Sequence, residues 1–186
     1  FRRVLFRSIY KQIKEEISTQ YVIYCDMDGV LVDFDAGYSK ITGIESKSKN
    51  VNEFWNLLKD KLKEKNMSEK EFWATLPKME RCDELWAKIS QFNPYILTSP
   101  SRNPESREGK INWIINNLSP QPKDIIFRSS GTKHTILENK NKEEISKSLL
   151  IDDFYKNIKP WKEVGGKVVY YTSPLSGFSQ LNKLGI

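Results

Sequence analysis

The chain has 186 residues, 38% of them apolar and 12% aromatic, which is enough to bury the core of one domain and excludes an intrinsically disordered protein. No apolar run approaches the roughly 20 residues of a membrane-spanning helix. The formal charge of +6 falls to +3 once Arg2, Arg3 and Arg7 are set aside, so the basic balance is too mild to carry a nucleic-acid-binding reading by itself. Those arginines lie in FRRVLFRS, residues 1–8, which resembles translated adapter sequence and is expected to be a non-native tail. Cys25 and Cys82 are far apart and expected to be buried free thiols, which together with the lack of a signal-peptide pattern points to a cytoplasmic protein.

Residues 9–20 are charged and read as a short helix or an arm before the first strand. Tyr21–Cys25 is a five-residue apolar and aromatic run, as a buried parallel strand requires, and it leads directly into Asp26-Met27-Asp28-Gly29. A helix is expected from Phe34 to Ile44, broken at Gly43 and followed by the polar string 45–50. Three helical patterns come next: Val51–Lys65, with Phe54, Leu57, Leu58 and Leu62 on one face; Ser68–Thr75, with Ser68 as cap and Glu71 three residues on; and Cys82–Phe92. Residues 94–97 form a second strand ending at Thr98-Ser99. Pro104–Leu118 reads as an amphipathic helix whose apolar face is Ile111, Ile114, Ile115 and Leu118. Ile125–Phe127, Ser148–Ile151 and Lys167–Tyr171 complete the strands, with a helix near Tyr155–Val164 closed by Gly165-Gly166. Strands alternating with helices predict an α/β fold, a Rossmann-like parallel sheet of about five strands flanked by helices. The expected division is a core of residues 9–35 and 93–186, with residues 36–92 inserted as a small helical cap.

Polar residues cluster where the predicted strands end: Asp26 and Asp28, then Thr98 and Ser99, then Lys133, then Asp152 and Asp153. Open parallel sheets bind their ligands beyond the carboxyl ends of the strands, so this placement predicts one site. Two acids a single residue apart can divide a nucleophile's work from a proton donor's, and Gly29 lets the backbone turn sharply after them. Adjacent acids at the end of a buried strand repel each other unless a cation is present. Lys133 follows the short turn Ser129–Thr132, and Lys142, nearer to Asp152, is its alternative. His134, the only histidine, is expected to pack or to meet solvent.

Asp26-Met27-Asp28-Gly29-Val30-Leu31 resembles the first motif, DxDGx(L/V), of the haloacid dehalogenase (HAD) superfamily of phosphatases, and the later clusters are similar to its other three motifs in the same chain order. The resemblance spans about Val22 to Tyr171. It implies a Mg²⁺-dependent phosphomonoesterase with Asp26 as nucleophile and Asp28 as general acid and base. Mg²⁺ would be held by Asp26, the backbone carbonyl of Asp28 and Asp152; Thr98, Ser99 and Lys133 would bind the phosphoryl oxygens, and Asp153 would support the metal or Lys133.

The helical insertion, SSGTKH at 129–134 and LLIDD at 149–153 are most similar to the 5′(3′)-deoxyribonucleotidase family and its bacterial and phage relatives. That resemblance implies a nucleoside monophosphate as the small phosphorylated substrate, its base stacked on cap aromatics. Phe72-Trp73, in EFWATLP, resembles the family's aromatic pair, and Phe34 is expected to face the cap; the competing reading makes Phe72, Trp73, Trp55 and Trp86 the cap's own core. The interval from Lys133 to Asp152 is longer than in the mammalian members, so no base or sugar preference is carried over. A 3′-end phosphatase of nucleic acid would need an open crevice with a basic track. A receiver-type phosphoacceptor module would have its paired acids at the first strand, whereas here the pair comes last.

Overall fold

Val22–Cys25 forms β1, the centre of the fold described by the computed structural model, which covers residues 21–46 and 51–186. The expected tail at 1–8 and the expected helix or arm at 9–20 lie outside those residues. β2 (Tyr95–Thr98), β3 (Ile125–Phe127), β4 (Ser148–Asp152) and β5 (Lys167–Tyr170) join β1 in one sheet of order β3-β2-β1-β4-β5. All neighbouring pairs are parallel, with Tyr24 opposite Tyr95 on one side and opposite Leu150 on the other. The chain builds outward from β1 to β3, then crosses back to place β4 on the other flank of β1. The direction of winding therefore reverses beside β1, and a crevice opens at the carboxyl ends of β1 and β4.

Side-chain alternation splits the core in two, as a strand's period of two requires. Ile23, Cys25, Ile96, Leu149, Ile151 and Val169 share one buried cluster with Trp113 and Ile114. Tyr24, Leu97 and Leu150 face the other way, onto Leu137, Ile158 and Trp161. β4 is buried along its whole length, which explains its unbroken apolar run. Both cysteines are buried free thiols.

The helices inserted after β1 are α1 (Phe34–Thr42), α2 (Val51–Glu64), α3 (Glu69–Ala74) and α4 (Cys82–Ile89), the last extended by a 3₁₀ turn at Ser90–Phe92. Asp33 caps α1 by accepting from the Ala36 N–H, and Gly43, at φ 76°, ends it in the left-handed conformation glycine tolerates. Ser68 and Glu71 form the expected capping box on α3. Aromatic rings fasten these helices together: Tyr38 stacks on Phe54 at 4.1 Å, and Phe34 meets Phe72 at 5.9 Å and Trp73 at 5.2 Å.

α5 (Glu105–Asn117) differs from its expected orientation. Ile115 is 58% exposed, and the buried stripe is Ser106, Gly109, Lys110, Trp113 and Ile114. The cause is the close approach of α3. A Cβ added to Gly109 would stand 2.5 Å from the Lys70 carbonyl oxygen and 2.5 Å from the Trp73 Cβ, so only glycine admits α3 at this point. The other helices are α6 (Lys142–Lys147), α7 (Tyr155–Glu163) and α8 (Pro174–Lys183). α6 and α8 were not anticipated, although Asn141 with Glu144, and Ser173 followed by Pro174, are ordinary helix-start signals. Among the described residues no helix is long and apolar enough to cross a membrane.

Candidate active site

The chain leaves β1 through a tight loop. The Met27 carbonyl accepts from the N–H groups of Leu31 and Val32, both at 2.8 Å, and Gly29 donates to Val32 at 2.9 Å. Gly29 has φ 75°, and a Cβ there would lie 2.1 Å from Asp153 Oδ2. Glycine is needed twice, for the turn and to let the Asp153 carboxylate reach the loop.

Asp26 is held at the sheet's edge by its own N–H, which donates to the Ile151 carbonyl at 2.8 Å. Its Oδ1 accepts from the Met27 N–H at 2.7 Å and faces the Lys133 Nζ at 2.8 Å. The same Nζ lies 2.7 Å from Asp152 Oδ2, so one lysine bridges the first and last acids of the chain-order series. Asp152 also accepts from the Phe154 N–H at 2.9 Å and from the Asn157 amide at 3.0 and 3.1 Å. Asn157, on α7, accepts in turn from the Gly131 N–H at 2.7 Å, which fixes the turn that delivers Lys133. Lys133 is fully buried, whereas Lys142 stands exposed at the start of α6. Burial pulls the Lys133 ammonium down, but Asp26 and Asp152 outweigh it and the net shift is upward.

Asp26, Asp152 and Asp153 each offer an oxygen, and the three oxygens lie within 4.8 Å of one another. Burial, and then the neighbouring carboxylates, push both Asp152 and Asp153 up to about 7. One lysine does not balance three carboxylates. A hard divalent cation with oxygen ligands fits this donor set and would relieve the shortage of positive charge.

The Asp28 side chain stands apart from that cluster. Its Oδ2 is paired with the Lys110 Nζ, and its Oδ1 is buried without a hydrogen-bond partner. Burial raises the Asp28 carboxyl above its ordinary value, with Lys110 opposing the shift. Lys110 also donates to the Thr98 hydroxyl at 3.0 Å and lies 4.4 Å from the centroid of the Trp73 ring. Thr98 is fully buried at the end of β2, and Ser99 lines the cavity that opens beyond it.

That cavity, of about 700 Å³, lies between the sheet's carboxyl edge and the inserted helices, with Asp26, Asp28 and Asp153 at its floor. Phe34, Trp55 and Trp73 wall it on the inserted side. Phe72, expected to face a substrate, is 2% exposed and absent from the wall, because its ring fills the space behind Phe34. Trp73 reaches the cavity but is 3% exposed, its indole N–H donating to Glu69 at 3.2 Å. The ring open to solvent there is Trp55, 37% exposed.

Each expected core residue, from Asp26 and Asp28 through Thr98, Ser99 and Lys133 to Asp152 and Asp153, therefore comes to one site. Sequence reasoning missed Lys110, Asn157 and the cavity-facing side of Trp55. Lys110 lies four residues after Ser106 and three before Trp113, so a helical wheel containing small residues would have placed it on the buried face.

No protein-family model matches the chain, and no curated protein matches it in sequence. Solved structures share its fold. A hydrolase from Streptococcus pneumoniae TIGR4 is 15% identical with a TM-score of 0.57, the match covering 88% of this chain and 99% of that one. The L-2-haloacid dehalogenase from Xanthobacter autotrophicus is 13% identical with a TM-score of 0.51, covering 86% of this chain and 87% of that one. At these identities the likeness is one of fold, the HAD-type parallel sheet with helices inserted after β1.

Proposed function

We propose that the chain is a Mg²⁺-dependent phosphomonoesterase that carries the phosphoryl group on Asp26 and takes a nucleoside monophosphate as substrate. One observation carries this reading: Asp26, Asp152 and Asp153 converge, a buried lysine pairs with the first two, and Asp26 and Asp153 line the floor of a cavity that Asp28 also lines.

Asp26, Asp152 and the backbone carbonyl of Asp28 would hold Mg²⁺, with Asp153 beside them. The ion, when bound, offsets the repulsion between carboxylate and phosphate. The Asp26 carboxylate attacks phosphorus, the bond from phosphorus to the ester oxygen breaks, and Asp28 gives its proton to that leaving oxygen. Burial shifts the Asp28 carboxyl upward against the opposing Lys110 ammonium, the direction that favours a proton donor. In the second half, Asp28 takes a proton from water, the water oxygen bonds to phosphorus and the Asp26 carboxylate is released. Lys133 and the loop after Thr98 would receive the phosphoryl oxygens where charge spreads in the transition state.

The helices within 36–92 serve as a cap over a core made of the remaining described residues. Support for a nucleotide comes from the cavity's volume and its aromatic wall, which suit a flat ring joined to a sugar phosphate. Phosphate release from nucleoside monophosphates tests the reading. Turnover should need Mg²⁺, stop with chelator and fall by at least about 10³-fold in Asp26→Asn, whose amide is a poor nucleophile. Full turnover in that variant would refute the mechanism.

A further inference from the structure

Lys110 is assigned no task in that reaction, yet it is buried as completely as Lys133. A buried ammonium is retained only where its partners are well placed, and those of Lys110 come from three separate parts of the chain. They are Asp28 in the loop after β1, the Thr98 hydroxyl at the end of β2, and the face of Trp73 on α3. Taking the phosphatase reading as its premise, we propose that Lys110 is a positioning residue that orients the Asp28 carboxyl and makes that orientation depend on the seating of α3.

The geometry leaves little slack in this connection. Gly109, next to Lys110, is where α3 touches α5 backbone to backbone, so a small lift of α3 withdraws the Trp73 ring from the ammonium. Further ties hold α3 in place: Lys70 pairs with Glu108 at 2.7 Å, and Ser101 donates to Glu69, which in turn accepts from the Trp73 indole. At its other end, Asp28 has one oxygen on Lys110 and the second without any partner. Nothing else in the described structure hydrogen-bonds its carboxylate, so Lys110 alone decides which way it points. Trp73 also lines the cavity, so a ligand that presses on the aromatic wall acts on the proton donor through one side chain.

A misplaced proton donor has a kinetic signature that a loosened fold lacks: it harms esters with poor leaving groups far more than those with good ones. In Lys110→Met, kcat/KM should fall by about 10- to 100-fold for an alkyl phosphate and by less than about threefold for 4-nitrophenyl phosphate, with partial recovery in Lys110→Arg. Trp73→Leu should show the same pattern more weakly and add little to Lys110→Met, because both act through one carboxyl. Equal losses for both esters, or full additivity of the two substitutions, would overturn the proposal while leaving the phosphatase reading intact.

Should the wild-type protein hydrolyse neither ester, the phosphatase reading fails, and the connection is read directly from the ¹³C resonance of the Asp28 carboxyl. Trp73→Leu should move that resonance when Lys110 is present and leave it in place in Lys110→Met. The same displacement in both backgrounds would show that Lys110 does not link α3 to Asp28.

Discussion

At the scale of single residues, the site is defined by a shortage of positive charge. Asp152 and Asp153 are each pushed up to about 7, by burial first and by neighbouring acids second, whereas an unfolded aspartate titrates at about 3.9. Between those values the folded protein binds more protons than the unfolded chain, so without a cation its stability falls as pH rises from about 4 to about 7 and then levels off. If Mg²⁺ is held there, as proposed, it would compete for the same oxygens and have to displace the protons. Its stabilising effect should therefore be small near about pH 5 and larger near about pH 7.5. Melting temperatures with chelator and with saturating Mg²⁺ at the two pH values check this; an equal Mg²⁺ effect at both would count against the acid cluster as the metal site. The acids themselves were legible in the sequence because each follows an apolar strand. Lys110 was not, since its burial depends on Asp28, 82 residues away, and on the close approach of another helix.

At the scale of elements, the inserted helices separate two kinds of aromatic residue that look alike in sequence. Phe72 is buried behind Phe34, so Phe72→Ala should open a cavity, costing about 3–5 kcal/mol of stability and lowering turnover of every substrate together. Trp55 sits at the cavity's open side. Trp55→Ala should leave the melting temperature nearly unchanged and weaken nucleotide hydrolysis by about 1–3 kcal/mol, the range of base–aromatic stacking, while sparing a small alkyl phosphate. Kinetics on both substrates beside thermal melts distinguish the two roles, and loss of the alkyl phosphate activity in Trp55→Ala would remove the case for stacking. The pair Phe72-Trp73 drew attention through its resemblance to a family motif, but residue type alone does not say which ring faces solvent. That follows from the approach of α3 to α5 at Gly109, a backbone contact that no periodicity of apolar residues reveals. The same contact turned α5 so that Ile115 points outward.

At the scale of the whole molecule, the parallel sheet was readable because buried strands are short, apolar and separated by helical patterns, and all five strands begin and end within one residue of expectation. The order β3-β2-β1-β4-β5 then brings together acids that are 126 residues apart in the chain, Asp26 and Asp152, by setting β1 and β4 side by side with Cys25 opposite Ile151. A short helix such as α6 carries too little apolar patterning to stand out, and α8 follows the last motif, where the resemblance to a family had already ended. The proposed function turns on one chemical event, transfer of a phosphoryl group to Asp26. Its most direct test is acid quenching of the enzyme during turnover of a phosphate ester with Mg²⁺, followed by mass analysis of the peptide containing residues 21–35. This peptide should gain one phosphoryl group on Asp26, acid-stable but released by hydroxylamine, and Asp26→Asn should gain none. Turnover with an unmodified peptide at every quench time, or the group found on another residue, would contradict transfer to Asp26.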